Sequence, residues 1–125
     1  MSEPCPCGGA SFDDCCGPIL AGSPAATAEQ LMRSRFTAFA RGDAAHLAAT
    51  WATHRQPTTI RLDPDRRWTA LEIVDTAGGR QLDTTGVVEF RASYVGGDGP
   101  GVVAERSRFA REAGRWVYVD AVSRS

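Results

Sequence analysis

The chain has 125 residues, of which 42% are apolar and 23% charged, and its formal net charge is −1. That balance fits one compact globular domain with a short appendage, and it excludes nucleic-acid binding driven by phosphate attraction. No apolar run approaches the roughly 18 residues of a membrane span, so the chain is expected to stay out of the bilayer, with the cytoplasm as its location.

All four cysteines fall within the first sixteen residues, as Cys5-Pro6-Cys7 and then Cys15-Cys16. Four thiolates on two tight turns close a tetrahedral shell around one Zn²⁺. Two disulfides are the alternative, with three pairings to choose among. A bridge between the neighbours Cys15 and Cys16 is strained, and a Cys-x-Cys bridge is little better. Cross-pairing needs an oxidising compartment, and no signal peptide is apparent. Thiol redox sensing at Cys15-Cys16 ranks lower, because zinc would mask those sulfurs. Free thiols in a frayed terminus are the bland option.

Zinc held by Cys5, Cys7, Cys15 and Cys16 is therefore the preferred reading. A shell closed by four cysteines has no open position for water, which makes the ion structural. Its binding free energy folds a segment too short to hold a core. Four thiolates and Zn²⁺ sum to −2, so the sulfurs need donors, and the N–H groups of Gly8 and Gly9 are the candidates. The knuckle then serves either as a knob for a protein partner or as an anchor, with equal weight.

Residues 1–18 read as this knuckle and residues 19–26 as a linker, with Gly17, Pro18, Gly22 and Pro24 as punctuation. Residues 27–125 read as the main domain. Thr27 and Gln30 form a capping box. Ala28, Leu31, Met32, Phe36, Phe39 and Ala40 make one apolar helical stripe, with Arg33, Arg35 and Arg41 largely off it. Gly42 ends that helix, and Asp43 caps a second through His46, read as surface-facing, to Trp51.

The stretch Ala52 to Arg67 is polar, with Pro57 and Pro64, and reads as a loop with a short strand around Thr59 to Leu62. From Trp68 the period drops to two. Trp68 to Val74 is a strand followed by a Gly78-Gly79 turn. Val87 to Val95 alternates, with Val88, Phe90, Ala92 and Tyr94 on one face and Glu89, Arg91 and Ser93 on the other. The glycine-rich run Gly96 to Gly101 pairs it with Val102 to Arg111, and Gly114 introduces Arg115 to Val122. Helices first and hairpin-linked strands after give an α+β fold, with helices on one face of a curved antiparallel sheet.

These residues resemble the YchJ-like proteins, a functionally uncharacterised family, over nearly the whole chain. The Cys5-Pro6-Cys7-Gly8 and Cys15-Cys16 pairs are similar to the SEC-C zinc motif, also found in the preprotein translocase ATPase. Here the loop between the pairs is one residue shorter, and Phe12-Asp13-Asp14 stands where that motif carries lysines. Leu31 to Phe39, Thr50-Trp51, Glu105 to Phe109 and Gly114 to Tyr118 resemble the family's central domain. The resemblance implies an NTF2-like cone, often with a pocket between sheet and helices, and a homodimer through the outer face of the sheet.

In such a cone Arg106 and Arg108 share the solvated face, so Glu105, Ser107 and Phe109 point inward. A buried Glu105 requires a partner, with Arg35, Arg33 and Arg91 as candidates. An ion pair bracing helix against sheet is the structural option, and a ligand-binding or general-base carboxylate the functional one. Trp51, Trp68, Trp116, Tyr94 and Tyr118 supply aromatic surface, most of it expected in the core and a minority lining a pocket, and His54 lies in the loop near the expected mouth.

Two functions compete. The first is a non-enzymatic binding protein or adaptor that joins the knuckle to a cone for a protein partner or small ligand. The second is an isomerase, dehydratase or hydrolase acting on an apolar small molecule, with Glu105 or His54 as base and Arg35 or Arg91 stabilising an anion. A cavity of roughly 300 Å³ or more beside Glu105 and Trp51 would suit a ligand.

Overall fold

In the computed structural model, which describes residues 3–57, 59–60 and 62–124, the polypeptide begins with a tight turn. Gly8 N–H donates to Cys5 O, and Cys5 N–H donates to Gly9 O. A 3₁₀ turn, Phe12–Asp14, leads directly into helix α1, Cys16–Leu20. The linker expected here is therefore partly helical. Pro18 sits in the first turn, where its missing N–H has no helical acceptor to lose. Ile19 and Leu20 are partly buried against the core, which fixes the short helix in place.

Helix α2, Ala28–Arg41, starts at Thr27, whose hydroxyl oxygen accepts from Gln30 N–H at 3.1 Å. Gln30 reaches back to Ala26 N–H, one residue earlier than a standard capping box would place it. Gly42 closes the helix in the left-handed conformation at φ 73°. Asp43 then caps helix α3, Ala44–Ala49, accepting from His46 N–H at 3.0 Å.

A single apolar stripe does not describe α2. Ser34, Arg35 and Thr37 are buried along with Leu31, Met32 and Phe36, whereas Ala40 is exposed. The helix is covered by the sheet, by α3 and by the cysteine segment, so its burial extends beyond one face. The same crowding corrects His46, which is buried with its Nε2 3.0 Å from Ser34 Oγ.

Four strands follow: β1 (Arg67–Gly78), β2 (Thr85–Gly96), β3 (Gly99–Glu112) and β4 (Arg115–Arg124). They form one antiparallel sheet in the order β1-β2-β3-β4. The β2–β3 turn is only Gly97-Asp98, so both strands run further into the glycine-rich segment than their alternation indicates. β1 likewise extends past Val74 to Gly78. The short strand expected around Thr59 to Leu62 does not form at Thr59, Ile60 or Leu62, and Arg61 lies outside the described residues. A 3₁₀ turn, Thr53–Arg55, precedes that stretch.

Register shifts in the β1–β2 and β3–β4 pairings interrupt the ladder, as bulges that bend a sheet do. The inward face carries Val88, Phe90, Ala92, Ser107, Phe109 and Trp116 against α2. Gly79 joins sheet to helix: its carbonyl accepts from Ala28 N–H, and a Cβ there would lie 2.7 Å from Ala28 Cβ. The α+β architecture expected from the sequence is the one observed. Among the described residues no helix is long and apolar enough to cross a membrane.

Candidate functional site

The Sγ atoms of Cys5, Cys7, Cys15 and Cys16 all lie within 4.8 Å of one another. Cys7 and Cys15 sulfurs are 3.5 Å apart, and those of Cys15 and Cys16 are 3.9 Å apart. A tetrahedron with metal–sulfur bonds of about 2.3 Å has edges of about 3.8 Å. A disulfide needs about 2.05 Å, and all four cysteines are free thiols. Donor type, number and spacing thus fit one metal ion.

Several groups support the cluster. Gly9 N–H hydrogen-bonds Cys7, and a Cβ on Gly9 would stand 2.8 Å from Cys15 Sγ, so glycine allows this close approach. Gly8 does not serve as expected, because its N–H goes to Cys5 O. Thr37 takes that part instead, its hydroxyl 3.7 Å from Cys5 Sγ and also in contact with Cys16. The Cys16 thiol's hydrogen bond holds Cys7 well below the ordinary thiol range, against the opposing effect of burial. Burial, then a hydrogen bond to Cys7, pushes Cys15 the other way; a hydrogen bond to Cys7, then burial, does the same to Cys16, so negative charge gathers on Cys7.

Two arginines of α2 fasten this segment. Arg33 Nη1 donates to Cys7 O at 3.0 Å while its Nε pairs with Glu29. Arg41 pairs with Glu3, and its guanidinium lies 3.9 Å from the centre of the Phe12 ring. Cys5, Cys7 and Cys16 belong to the same buried cluster as Leu31, Phe36 and Phe109. The knuckle is continuous with the core.

Elsewhere along α2, a cavity of about 230 Å³ opens, smaller than the size anticipated for a ligand pocket. Met32, Arg35, Phe36 and Phe39 of α2 line it, with Trp51, Trp68, Glu105 and Tyr118 among the facing residues. Arg35 is 3% exposed. Its Nη1 donates to Leu47 O at 2.9 Å and to Thr50 Oγ1 at 2.8 Å. The guanidinium carbon is 5.1 Å from the Trp51 ring centre and 4.8 Å from that of Tyr118. Burial pushes the Arg35 pKa down to about 10, so the group is still a cation at neutral pH.

Glu105 Oε2 accepts from Ser107 Oγ at 2.5 Å and from the Tyr118 hydroxyl at 3.3 Å. The structure brings Glu105, Arg35 and Trp51 to one cavity. It does not bring Arg91 or His54 there. Arg91 projects from the outer face and is exposed, because Phe90 and Ala92 on either side of it point inward. His54 is exposed on its 3₁₀ turn, where its charge bears on Glu112. Arg33 is committed to Glu29 and Cys7. Thr37 is a site residue that the sequence reading did not single out; Tyr118 and Trp68 come from the aromatic set expected to be mostly core, and Phe39 from the apolar stripe of α2.

A bent meander packed on helices, preceded by a four-cysteine turn, defines an NTF2-like protein with a SEC-C type of cysteine motif. The profile described as "YchJ, middle NTF2-like domain" matches residues 27–121. The chain belongs to this YchJ-like family, whose curated members carry the name UPF0225. A UPF0225 protein of Streptomyces coelicolor is 54% identical over 121 residues, covering 95% of this chain and 94% of the relative. One from Polaromonas is 48% identical, covering 96% and 93%. The solution structure of a SEC-C motif containing protein from Rhodopseudomonas palustris is similar at TM-score 0.83 and 30% identity, covering 97% of this chain and 98% of that one. The crystal structure of another, from Psychrobacter arcticus, is similar at TM-score 0.78 and 26% identity, covering 98% and 83%.

Proposed function

We propose that this chain is a non-enzymatic, cytoplasmic binding protein whose NTF2-like cavity holds a small ligand and whose four cysteines hold one structural Zn²⁺. One observation carries the reading: α2 is held by the cysteine segment through Arg33, Thr37 and Arg41, and it lines the cavity through Met32, Arg35, Phe36 and Phe39. The ion would fix the N-terminal segment, and that segment would fix the helix that shapes the cavity. The burial of Cys5, Cys7 and Cys16 favours anchoring as the knuckle's main role. A protein partner would meet its exposed rim at Gly8, Asp13 and Asp14, which is acidic where basic SEC-C motifs carry lysines. With a net charge of −1, nucleic acid is not among the proposed partners. A homodimer through the outer face of the sheet would have to cover the Arg106–Glu89 and Arg108–Asp120 ion pairs.

The test is elemental analysis of purified protein together with amide NMR before and after chelation. One zinc per chain is expected, and its removal should shift signals from residues 3–20 and also from 32–39. Protein without stoichiometric metal, or an α2 indifferent to its removal, would overturn the reading.

An enzyme of the isomerase, dehydratase or hydrolase type is the second reading, favoured by the carboxylate of Glu105 in a largely apolar wall with Arg35 across it. It ranks lower because Ser107 and Tyr118 already tie Glu105 Oε2 into the sheet, which gives this carboxylate a structural role.

A further inference from the structure

Arg35 is a buried cation that the fold compensates only in part: Tyr118 and Glu105 favour its charge, with no ion pair inside 4.0 Å among the described residues. A buried guanidinium carries a large desolvation penalty unless it is paired and hydrogen-bonded. Among the described residues both of its hydrogen bonds leave from Nη1, and both go to neutral oxygens, Leu47 O and Thr50 Oγ1. The rings of Trp51 and Tyr118 soften the cost through their faces, and the Nε–Nη2 edge has no hydrogen bond among the described residues yet is not sealed from solvent. That edge belongs to a side chain in the cavity wall.

The edge has a known chemical complement. Nε–H and one Nη2–H are parallel donors, spaced to take both oxygens of a carboxylate. The rest of the wall is apolar and largely aromatic, with Met32, Phe36, Phe39, Trp68 and Phe90 around the space. Glu105 stands in the same wall and disfavours a second negative charge. A volume of about 230 Å³ lies below the range of drug-sized pockets, which points to a body no larger than one substituted ring.

We infer that the cavity binds a small organic monoanion, a carboxylate with an aromatic or branched apolar body, whose carboxylate docks on the Nε–Nη2 edge of Arg35. The inference rests on the binding-protein reading above and names its ligand class. The thiol cluster does not touch the ligand, so metal content and ligand binding are measured as separate quantities on the same metal-loaded protein.

Benzoate and phenylacetate, each against its neutral amide, are the probes. They are titrated into the full chain as purified, followed by tryptophan fluorescence and by the Arg35 Nε–H signal in NMR. The acids should saturate, with their amides at least tenfold weaker. Arg35→Met should abolish that preference, and Ala92→Phe, which fills the cavity but keeps Arg35, should abolish binding while leaving zinc content unchanged. Equal affinity for acid and amide would overturn the monoanion inference and leave the binding-protein reading standing. Acid binding that survives Ala92→Phe would place the site elsewhere and overturn it too. If Arg35→Met does not fold, the acid–amide comparison and Ala92→Phe still decide. No saturation by any of the four probes up to about 10 mM, a Kd weaker than useful binding, would sink both.

Discussion

On one side of α2 four sulfurs crowd within 4.8 Å of one another. On another, one guanidinium stands against two aromatic rings, without a carboxylate inside 4.0 Å among the described residues. Both arrangements are costly for the protein alone, and the proposals above give each an occupant of opposite charge. They differ in how much they say about it. Four converging soft donors set the charge, geometry and hardness of an ion together. A single buried cation sets only the sign of its complement, and the size and polarity of the space around it must supply the rest.

The largest effect expected from breaking this pair is at the sulfurs. Cys16→Ser should remove zinc and lower stability by on the order of 4 kcal/mol, roughly 15 °C in Tm. Metal analysis and a thermal melt on the same sample check it. If Tm holds while zinc is lost, the knuckle is a passenger and the comparison fails on that side.

Next comes Arg35. Arg35→Ala should cost about 3 kcal/mol, because it deletes packing against Trp51 and Tyr118 as well as two hydrogen bonds. Arg35→Met should cost about 1 kcal/mol, since an apolar chain of similar length refills the space without a buried charge. Urea unfolding of the two variants separates volume from charge. Equal losses would show that the charge itself stabilises the empty fold, which would weaken the case for an anion.

Much of this contrast was legible in the sequence, for identifiable reasons. Cysteine pairs at short spacing carry their chemistry with them. Period-two alternation placed Ser107 and Phe109 inside and Arg106 and Arg108 on the outer face, and the same rule applied to β2 would have excluded Arg91. Helix α2 was harder to read. Its buried polar residues, Ser34, Arg35 and Thr37, look like a solvated face because a helical wheel assumes one covered side. Three coverings converge there, from the sheet, α3 and the cysteine segment, and two of those are short pieces with weak signals. Gly17-Pro18 similarly concealed α1, since proline in a first turn reads like proline in a linker.

A smaller prediction concerns His46. Burial, the main cause, pushes its pKa below the ordinary 6.5, and Arg35 adds to this while Asp43 opposes it. The unfolded chain therefore takes up the proton first as pH falls. Stability should be full above about pH 6.5 and decline below it, with the part attributable to this residue set by how far its folded pKa is depressed. Urea midpoints at pH 7.5 and 5.5 measure the slope, which His46→Gln should flatten. An unchanged slope would mean that His46 does not report on the packing between α2 and α3.

The smallest change belongs to the outer face. Arg106 pairs with Glu89 at 3.0 Å and Asp75 at 3.4 Å in partly exposed positions. Arg106→Ala should cost about 0.5 kcal/mol or less, shrinking as salt is added, by denaturant titration at two ionic strengths. A large loss there would mean that surface charge holds the sheet as firmly as either side of α2.

The strand order β1-β2-β3-β4 repeats the order of the chain, so every ladder forms between neighbours in sequence. Thr37 reaches Cys5 across a separation of 32 residues, entirely within the half of the molecule that precedes the sheet. Loop-closure entropy is therefore modest for both parts, and neither has to wait for the other. Refolding should quicken with free metal concentration, because the helix that both parts need is the one that the cysteine segment fastens.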